Sequence, residues 1–461
     1  MAFGATGRGF KSRRAHHIEK FIKFLLATDF MAILLKNCRV VVTQNAERSI
    51  LKNVDILIEE GKIKEVAKTI EISSECEIVD CSKKLVMPAL FNAHTHASMV
   101  LFRGYRDDQE LHSWLSDVWK VEAKLKPKHI YAGALFACME MAKTGTYCFV
   151  DMYFEMEEVA KAASEIGLKA FLGYGMIDLF KEDKREKEIK TTKEFIKNIE
   201  GEFDGITPVL APHAIYTCSK ELLEWVNEFA KEKNLLKTIH LSETRKEVFD
   251  CVKAHGIRPV EYLEKINFLD CNTVLFHASW VTKGEIAKIA KANAKVVHCP
   301  ASNMKLATGG AFPFREYKEN GVTICLGTDG ACSNNCLDMF REMKFAALLQ
   351  KWFRWNGAEV NAQEILDTAT INPAKAFGLN SGSIEKGKEA NLILLNLNHY
   401  SLRPERNVLS NIVYSATGNC VSELIVAGKF VVREEKLINA DEEKIIEKLE
   451  KAVEDLLGEE E

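Results

Sequence analysis

The sequence predicts an α/β protein: a (β/α)8 TIM-like barrel with a small β-sandwich domain built from both chain ends. Eight apolar strand candidates alternate with amphipathic helix candidates through the central part of the chain. Short alternating strands precede this region, and a second β-rich segment follows it. Eight buried strands alternating with helices are typical of a closed parallel barrel, and two strand-rich chain ends suit one small sandwich.

Length and composition restrict the class of protein. The chain has 461 residues, 47% of them hydrophobic and 28% charged, and is long enough to bury a large core. A formal net charge of −4 gives no electrostatic reason to expect nucleic acid. Thirteen scattered cysteines indicate reduced core residues of a cytoplasmic protein rather than a disulfide framework. No apolar run approaches the ~18 residues of a membrane span, so we expect no membrane partner.

The first thirty residues differ from the rest of the chain. A basic stretch is followed by a possible amphipathic turn, which is compatible with a targeting peptide or a membrane contact. The segment lacks the continuous apolar core and the cleavage site of a secretory signal. We therefore expect the natural fold to begin at Met31, with residues 1–30 as an N-terminal extension that is disordered or foreign to the natural protein.

The rest of the chain is predicted to form four parts. They are the first part of the sandwich (31–86), the barrel (87–380), the second part of the sandwich (381–437), and a C-terminal helix with an acidic tail (438–461). Period-two apolar residues and a turn signal at Glu60-Gly61 indicate antiparallel strands in the first part. The C-terminal helix is highly charged and is predicted to be solvated.

The barrel strands are predicted from continuous apolar runs. They are expected at 85–94, 146–152, 169–176, 206–213, 236–243, 273–279, 294–300 and 322–330. An open doubly wound sheet is the alternative. Such sheets usually carry a glycine-rich phosphate turn after an early strand, and neither a G-x-G-x-x-G nor a Walker pattern occurs here.

Histidines are concentrated at the ends of these strands. Of twelve histidines, six close a predicted strand, and the eighth strand ends in Asp329; the six are His94, His96, His213, His240, His277 and His298. The carboxyl ends of parallel barrel strands meet at one rim, so these side chains are expected to converge there. His94 and His96 also share one face of an extended strand, because alternate side chains point the same way.

Four of these residues predict a metal site. His94, His96, His240 and Asp329 supply three nitrogens and one oxygen, a set that suits one divalent ion with an open position for water. Zinc is expected, with iron as the alternative. Such an ion lowers the pKa of bound water to about 7. A second ion is not favoured, because the fourth strand ends in His213 and not in the lysine that two-metal barrels require.

Two further residues predict catalysis at this site. Glu243, three residues after His240, can carry a proton between the water and a ring nitrogen of a substrate, although a helix-cap role is the structural alternative. His277 can hydrogen-bond the same water. His298 is equally well explained as a satisfied core residue, and Asp151 is as compatible with a structural role as with a functional one.

Five segments of the chain resemble one protein family. They are MPALFNAHTHASMVLFRG, APHAIYTC, IHLSETRKE, HCPASNMKLATGGAFP and GTDGACSNNCLDMFREM. They resemble the amidohydrolase superfamily and, within it, the 5'-methylthioadenosine/S-adenosylhomocysteine deaminases with their archaeal 5'-deoxyadenosine deaminase relatives. The last two segments are the most specific, since the whole superfamily shares His-x-His. The resemblance extends from about Met31 to Leu457.

The resemblance implies a metal-dependent aminohydrolase that converts adenine nucleosides to inosine-type products and ammonia. Its small-molecule substrates would be 5'-deoxyadenosine, 5'-methylthioadenosine, adenosine or S-adenosylhomocysteine. By position it implies metal ligands at His94, His96, His240 and Asp329, a proton shuttle at Glu243, a water-orienting histidine at His277, a ribose contact at Glu122, and further substrate contacts at His213, Glu243 and Asp329. Homo-oligomers are common among relatives, so a homo-oligomer is expected.

One position departs from the family pattern. Relatives that accept S-adenosylhomocysteine often carry an arginine after the third strand, where this chain has Tyr174. A tyrosine cannot offer a cationic fork to a carboxylate, which favours a neutral 5' group unless Lys184 or Arg185 substitutes. Two alternatives remain: a deaminase or hydrolase for guanine, cytosine or an aminotriazine, and a non-catalytic metal-binding scaffold. Glu243 and His277 argue against the scaffold, because a structural zinc needs neither.

Overall fold

The computed structural model of the protein describes residues 32–72, 75–109 and 111–458. The predicted N-terminal extension therefore lies outside the described residues, as do the last residues of the predicted acidic tail. Within the described ranges, no helix combines the length and the apolar character needed to cross a bilayer. The thirteen cysteines are free and most are buried, as predicted.

The described residues form twenty strands in four sheets. In chain order the strands are β1 (Ala32–Cys38), β2 (Val40–Val42), β3 (Ile50–Leu51), β4 (Val54–Glu59), β5 (Lys62–Ala67), β6 (Cys76–Asp80), β7 (Lys84–Pro88), β8 (Leu90–Thr95), β9 (Thr146–Tyr153), β10 (Lys169–Met176), β11 (Ile206–Pro208), β12 (Ala211–Pro212), β13 (Lys237–Leu241), β14 (Thr273–His277), β15 (Lys295–His298), β16 (Ile324–Leu326), β17 (Leu392–Asn396), β18 (Val421–Val426), β19 (Lys429–Arg433) and β20 (Lys436–Leu437).

Helices alternate with the central strands. They are α1 (Leu111–Glu122), α2 (Pro127–Lys143), α3 (Met156–Ile166), α4 (Glu182–Ile199), α5 (Lys220–Lys233), α6 (Arg245–His255), α7 (Pro259–Lys265), α8 (Lys283–Lys291), α9 (Pro300–Lys305), α10 (Phe314–Glu319), α11 (Ala331–Asn334), α12 (Met339–Phe353), α13 (Ala362–Ala369), α14 (Ile371–Ala376), α15 (Val408–Tyr414) and α16 (Glu442–Leu457). Short 3₁₀ turns occur at Ala97–Phe102, Tyr400–Leu402 and Gly418–Cys420.

Strands β8 to β16 form the barrel. One parallel sheet has the order β11-β10-β9-β8, with β12 also paired to β10, and a second has the order β13-β14-β15-β16. Backbone hydrogen bonds join the two sheets on both sides. On one side the Thr238 N–H donates to the Leu210 carbonyl at 2.8 Å, and on the other the Asp329 N–H donates to the His94 carbonyl at 3.0 Å. The predicted parallel α/β barrel is therefore present.

The first predicted barrel strand is divided. Residues 85–94 were expected to form one strand, but β7 ends at Pro88 and belongs to another sheet, and β8 starts at Leu90. Between them the Ala89 N–H donates to the Asn391 carbonyl, and the Leu90 N–H donates to the Gly145 carbonyl. Both strands are buried along their length, so the apolar run is continuous and does not mark the change of sheet.

Two sheets outside the barrel combine strands from both ends of the described chain. Their orders are β5-β4-β1-β6 and β20-β19-β18-β17-β7-β2-β3. One apolar cluster includes residues of both sheets, such as Leu35 and Ile56 from the first and Val86, Leu394 and Ile425 from the second. The two sheets therefore share a core of their own.

The predicted turn at Glu60 and Gly61 connects β4 to β5. Both residues have positive φ, 51° and 73°, as a two-residue hairpin turn of type I′ requires. Gly61 has a second reason to be glycine, since a Cβ there would lie 2.8 Å from the Ala427 carbonyl oxygen. The turn thus fixes the hairpin against the neighbouring sheet.

The C-terminal helix corrects a prediction. Its charged sequence indicated a solvated helix, but Ile445, Ala452 and Leu456 of α16 are buried. The helix packs on α2, where the His129 ring bonds the Asp455 carboxylate at 2.7 Å. The expectation of a solvated helix is therefore wrong for this face, because an apolar stripe at helical spacing is present among the charges.

A substitution at Gly327 tests how closely β8 and β16 approach where the barrel closes. A Cβ on Gly327 would lie 2.7 Å from the His94 backbone nitrogen and 2.8 Å from its Cβ, and backbone cannot yield cheaply. We expect Gly327→Ala to lower the free energy of unfolding by about 1–3 kcal/mol or more, measured by denaturant unfolding. Gly357→Ala is the matched control, because a Cβ there meets nothing within 4 Å. Equal stability of the two variants would contradict the close approach of β8 and β16.

Candidate active site and metal centre

The structure brings three of the predicted ligands together at one end of the barrel. The ring centroid of His94 is 4.8 Å from that of His96 and 4.9 Å from that of His240. The ligand nitrogens of the three histidines all lie within 4.8 Å of one another. The three imidazoles come from β8, the residue after it, and β13, so closure of the barrel creates the cluster.

Asp329 completes this donor set. Its Oδ1 lies 3.6 Å from His94 Nε2 and 3.3 Å from His96 Nε2. The Ser302 hydroxyl donates to Oδ2 at 2.6 Å, and the Gly330 N–H donates to Oδ1 at 2.7 Å. Burial would raise the pKa of Asp329, but its interactions with the neighbouring imidazoles of His94, His96 and His277 hold it well below its ordinary value. The carboxyl group is therefore ionised at neutral pH.

Backbone carbonyls determine which nitrogen of two ligands is free. His96 Nδ1 donates to the Met152 carbonyl at 2.6 Å, and His240 Nδ1 donates to the His213 carbonyl at 2.9 Å. A carbonyl oxygen only accepts, so Nδ1 carries the proton in both rings and Nε2 keeps its lone pair. Histidine ligands of metals are usually fixed in this way.

His94 is the most deeply buried member of the set. Its ring stacks on Phe276 with centroids 3.8 Å apart, and neither ring nitrogen has a hydrogen-bond partner. Burial lowers the pKa of His94 to about 3, so the ring is neutral at pH 7. A buried nitrogen without a partner is costly unless something coordinates it. Three imidazoles, an ionised carboxylate and this unpartnered nitrogen fit one divalent ion.

Glu243 and His277 lie beside the donor set. Glu243 Oε2 is 4.0 Å from His277 Nε2. His277 Nδ1 donates to Asn303 Oδ1 at 2.8 Å, and Asn303 Nδ2 donates to the Ser279 hydroxyl at 3.1 Å, which fixes the amide and the ring. Burial raises the pKa of Glu243 above its ordinary value. A buried carboxyl group held beside the donor set can accept a proton and release it to a bound substrate.

The helix-cap alternative for Glu243 does not describe the structure. The N-cap of α6 is Thr244, whose side chain accepts from the Glu247 N–H. The buried Glu247 carboxylate in turn accepts from the Ser242 N–H at 2.7 Å and from the Glu243 N–H at 2.9 Å. The Glu243 backbone is thus held from within the protein, while its side chain is left to face His277.

Two of the residues implied as substrate contacts, His213 and Glu122, also lie next to the cluster. The ring of His213 is 4.9 Å from that of His240. Glu122, at the end of α1, accepts a hydrogen bond from the Tyr153 hydroxyl at 2.6 Å, and the Tyr153 ring is 6.3 Å from that of His96. Burial raises the pKa of Glu122. Both side chains can therefore border a ligand bound beside the histidines.

Two other residues remain outside the donor set. His298 is buried against Phe312, with ring centroids 4.3 Å apart, and both of its nitrogens lack partners. Asp151 Oδ1 accepts from the Ala97 N–H at 2.8 Å, next to the residue whose carbonyl binds His96. Burial raises the pKa of Asp151 to about 7. Its contact favours the structural interpretation, in which it shapes the chain that follows His96.

Sequence reasoning missed the residues that orient the site. Ser302 binds Asp329, Asn303 binds His277, and Glu247 binds the backbone of Glu243. Ser302 and Asn303 lie in α9, four and five residues after His298. Their nearness to the end of a barrel strand was a signal for a position at the rim, but it did not indicate which groups they contact. Glu247 gave no such signal, because glutamate near the start of a helix is common.

Comparison with known proteins agrees with this geometry. Residues 85–431 match the Amidohydrolase family. A 5-methylthioadenosine/S-adenosylhomocysteine deaminase of Pyrococcus furiosus is 48% identical over 402 residues, covering 87% of this chain and 96% of that protein. A 5'-deoxyadenosine deaminase of Methanosphaera stadtmanae is 46% identical over 398 residues, covering 86% and 93%. The crystal structure of an adenosine deaminase from Xanthomonas campestris with bound zinc has a TM-score of 0.87 at 30% identity, covering 93% of this chain and 98% of that one.

Ser302 provides a test of the donor set. Ser302→Ala removes the hydroxyl that binds Asp329 Oδ2, so the carboxylate loses its fixed orientation. We expect the affinity for zinc to fall by about 10–100-fold, measured by competition with a chromogenic chelator. Ser401→Ala, which alters a serine that binds the His399 ring instead, should leave the affinity unchanged. Equal zinc affinities in both variants would show that the Ser302 hydroxyl does not orient a metal ligand.

Proposed function

The chain belongs to the amidohydrolase family, as its resemblance predicted, and we propose that it is a hydrolytic deaminase of adenine nucleosides. Relatives that match over most of both chains are named as such deaminases. One observation carries the proposal: Glu243 and His277 face each other beside three histidines and a carboxylate. A metal with a purely structural role needs neither group, which disfavours the scaffold alternative.

The ion is part of the proposal. We infer a single divalent ion held by His94, His96, His240 and Asp329, with zinc favoured over iron by three imidazoles and one carboxylate. Zinc in the related adenosine deaminase supports this choice. When bound, the ion supplies an acidified water molecule at neutral pH.

Glu243 and His277 carry out the proton chemistry. Glu243 takes a proton from the water and delivers it to N1 of the adenine ring, while the water oxygen bonds to C6. His277, oriented by Asn303, hydrogen-bonds the attacking oxygen, and this bond strengthens as negative charge develops. Glu243 then takes the second proton from the oxygen bound to C6 and passes it to the amino group. The C6–N bond breaks, a C6 carbonyl forms, and ammonia leaves an inosine-type product.

Other side chains define the nucleoside pocket. Glu122, oriented by the Tyr153 hydroxyl, binds the ribose hydroxyls. His213, whose ring lies 4.9 Å from that of His240, also contacts the substrate. Asp329 borders the reacting carbon as well as the ion. These roles follow the family pattern and are supported by the position of each residue beside the cluster.

The residues near Tyr174 favour a neutral 5' group. The Tyr174 hydroxyl lies 3.4 Å from Glu188 Oε1, so this position offers a carboxyl group and not a cation. Arg185, a possible substitute, is 3.9 Å from a Glu182 oxygen and 3.8 Å from a Glu221 oxygen. A guanidinium with two acidic neighbours is a weak partner for a substrate carboxylate. We therefore favour 5'-deoxyadenosine, 5'-methylthioadenosine and adenosine.

The domain division, the cellular compartment and the oligomeric state are also part of this proposal. The core shared by the two outer sheets supports a β-sandwich of residues 31–86 and 381–437, beside a barrel of residues 87–380 and a C-terminal segment of residues 438–461. Free cysteines support a reducing, cytoplasmic compartment. We further propose that the protein is a homo-oligomer.

Glu243→Gln separates proton transfer from metal binding. Glutamine keeps the size of the side chain but cannot shuttle a proton, so turnover should fall by about 10²–10⁴-fold. Ammonia release measures turnover, and elemental analysis should find the same metal content as in the unchanged protein. Full activity in this variant would remove the proposed shuttle.

A substrate panel tests the nucleoside assignment. On zinc-loaded protein we expect kcat/KM for 5'-deoxyadenosine and 5'-methylthioadenosine to exceed that for S-adenosylhomocysteine by about tenfold or more, since an unpaired charge costs at least ~1.4 kcal/mol. Ammonia release from guanine, cytosine and an aminotriazine is measured in parallel. Faster release from any of these three would favour the alternative amidohydrolase activity.

A further inference from the structure

Glu342 is a buried glutamate that the proposed reaction does not use. It lies near the start of α12 and is 1% exposed. Its Oε2 accepts from the Ala301 N–H at 3.3 Å, and its Oε1 accepts from Asn334 Nδ2 at 2.8 Å. The same Asn334 nitrogen also donates to the Thr328 carbonyl at 2.6 Å. One carboxyl group therefore connects α12 to α9 and to the segment that follows β16.

The first contact of Glu342 leads to the two groups that orient the active site. Ala301 is followed directly by Ser302 and Asn303 in α9. The Ser302 hydroxyl binds the carboxylate of the donor set, and the Asn303 amide binds the His277 ring. The first amide groups of a helix have no partner within it, so an acceptor from another element fixes where the helix begins. Glu342 thus sets the position of both orienting side chains.

The second contact leads to the ligand carboxylate itself. Asn334 binds the carbonyl of Thr328, and Thr328 directly precedes Asp329. Glu342 therefore holds both partners of the hydrogen bond between Ser302 and Asp329. It holds the residue before the donor on one side and, through Asn334, the residue before the acceptor on the other.

Stability alone does not explain an acid at this position. Burial raises the pKa of Glu342 to about 8, although its two hydrogen bonds act in the opposite direction. Asp338 and Asp329 are the charged neighbours that act on it, and both raise this pKa further. A buried carboxyl group among acids costs free energy that a neutral side chain of the same size does not. The two hydrogen bonds it accepts are therefore the reason for the acid.

We propose that Glu342 is a positioning residue, which holds Ser302 against Asp329 and Asn303 against His277. Its effect on the metal acts through Asp329 and depends only on the donor set. Its effect on turnover acts through His277 and rests on the proposed function. The two effects are measured separately, so a failure of the deaminase assignment can be distinguished from a failure of this proposal.

A double-mutant cycle on zinc affinity tests the first effect. Glu342→Gln keeps the size of the side chain, but its amide turns N–H towards one of the two donors, so one hydrogen bond is lost. We expect zinc affinity to fall by about tenfold, measured by competition with a chromogenic chelator. Adding Glu342→Gln to Ser302→Ala should lower the affinity no further, because both changes act on the same hydrogen bond.

Glu423→Gln is the matched control for this cycle. Glu423 is also a buried glutamate, 5% exposed, but it lies on β18 in the seven-stranded sheet. Its substitution should leave zinc affinity unchanged. An unchanged affinity in Glu342→Gln would overturn the proposal. So would a double variant whose loss of affinity equals the product of the two single losses, since independent effects combine in that way.

Steady-state kinetics at saturating zinc test the second effect. With 5'-deoxyadenosine, Glu342→Gln should lower kcat by about tenfold and leave KM within about twofold, because His277 acts on the attacking oxygen and not on substrate binding. Turnover is expressed per bound zinc ion, so an unfolded fraction does not lower it. An unchanged kcat, or a raised KM at unchanged kcat, would contradict the link to His277. No ammonia from any nucleoside with the unchanged protein would refute the proposed function, and the zinc cycle would still decide the role of Glu342.

Discussion

A carbonyl oxygen facing Nδ1 of an imidazole decides which of its nitrogens can bind an ion. Met152 and His213 supply that oxygen to His96 and His240. Met152 lies in β9 and His213 directly follows β12, so the protonation pattern of the two rings is set by the backbone of neighbouring barrel segments and not by the ligands themselves. The rest of the chemistry depends on this, because a ring with the opposite tautomer would present N–H to the ion.

Low dielectric surroundings explain how one pocket holds both neutral imidazoles and a carboxyl group that can exchange protons. Burial disfavours the charged form of each group, which lowers the pKa of His94 to about 3 and raises that of Glu243. Asp329 escapes this trend, since hydrogen bonds and imidazoles surround its carboxylate. Two carboxyl groups in the same buried pocket therefore differ: Asp329 stays ionised and suits a metal ligand, whereas the raised pKa of Glu243 suits a proton carrier.

The sequence was sufficient for the parts of the fold that have a local signal. Continuous apolar strands indicated the barrel, and the placement of His94, His240 and Asp329 at strand ends indicated one rim. Interactions across the fold left no such signal. Neither the hydrogen bond from Ser302 to Asp329 nor the change of sheet at Ala89 can be predicted from neighbouring residues in the sequence. Each depends on which distant part of the chain comes near. The buried face of α16 was not predicted for the same reason, because its charged sequence does not indicate which helix it packs against.

The continuous run from β7 into β8 has a mechanical consequence. A single residue, Ala89, separates a strand of the seven-stranded sheet from β8, the strand that carries His94. A displacement of the outer sheet would therefore also move the start of β8 and with it His94, because only one residue lies between the two strands. The peripheral strands thus anchor the start of the strand that carries the innermost ligand.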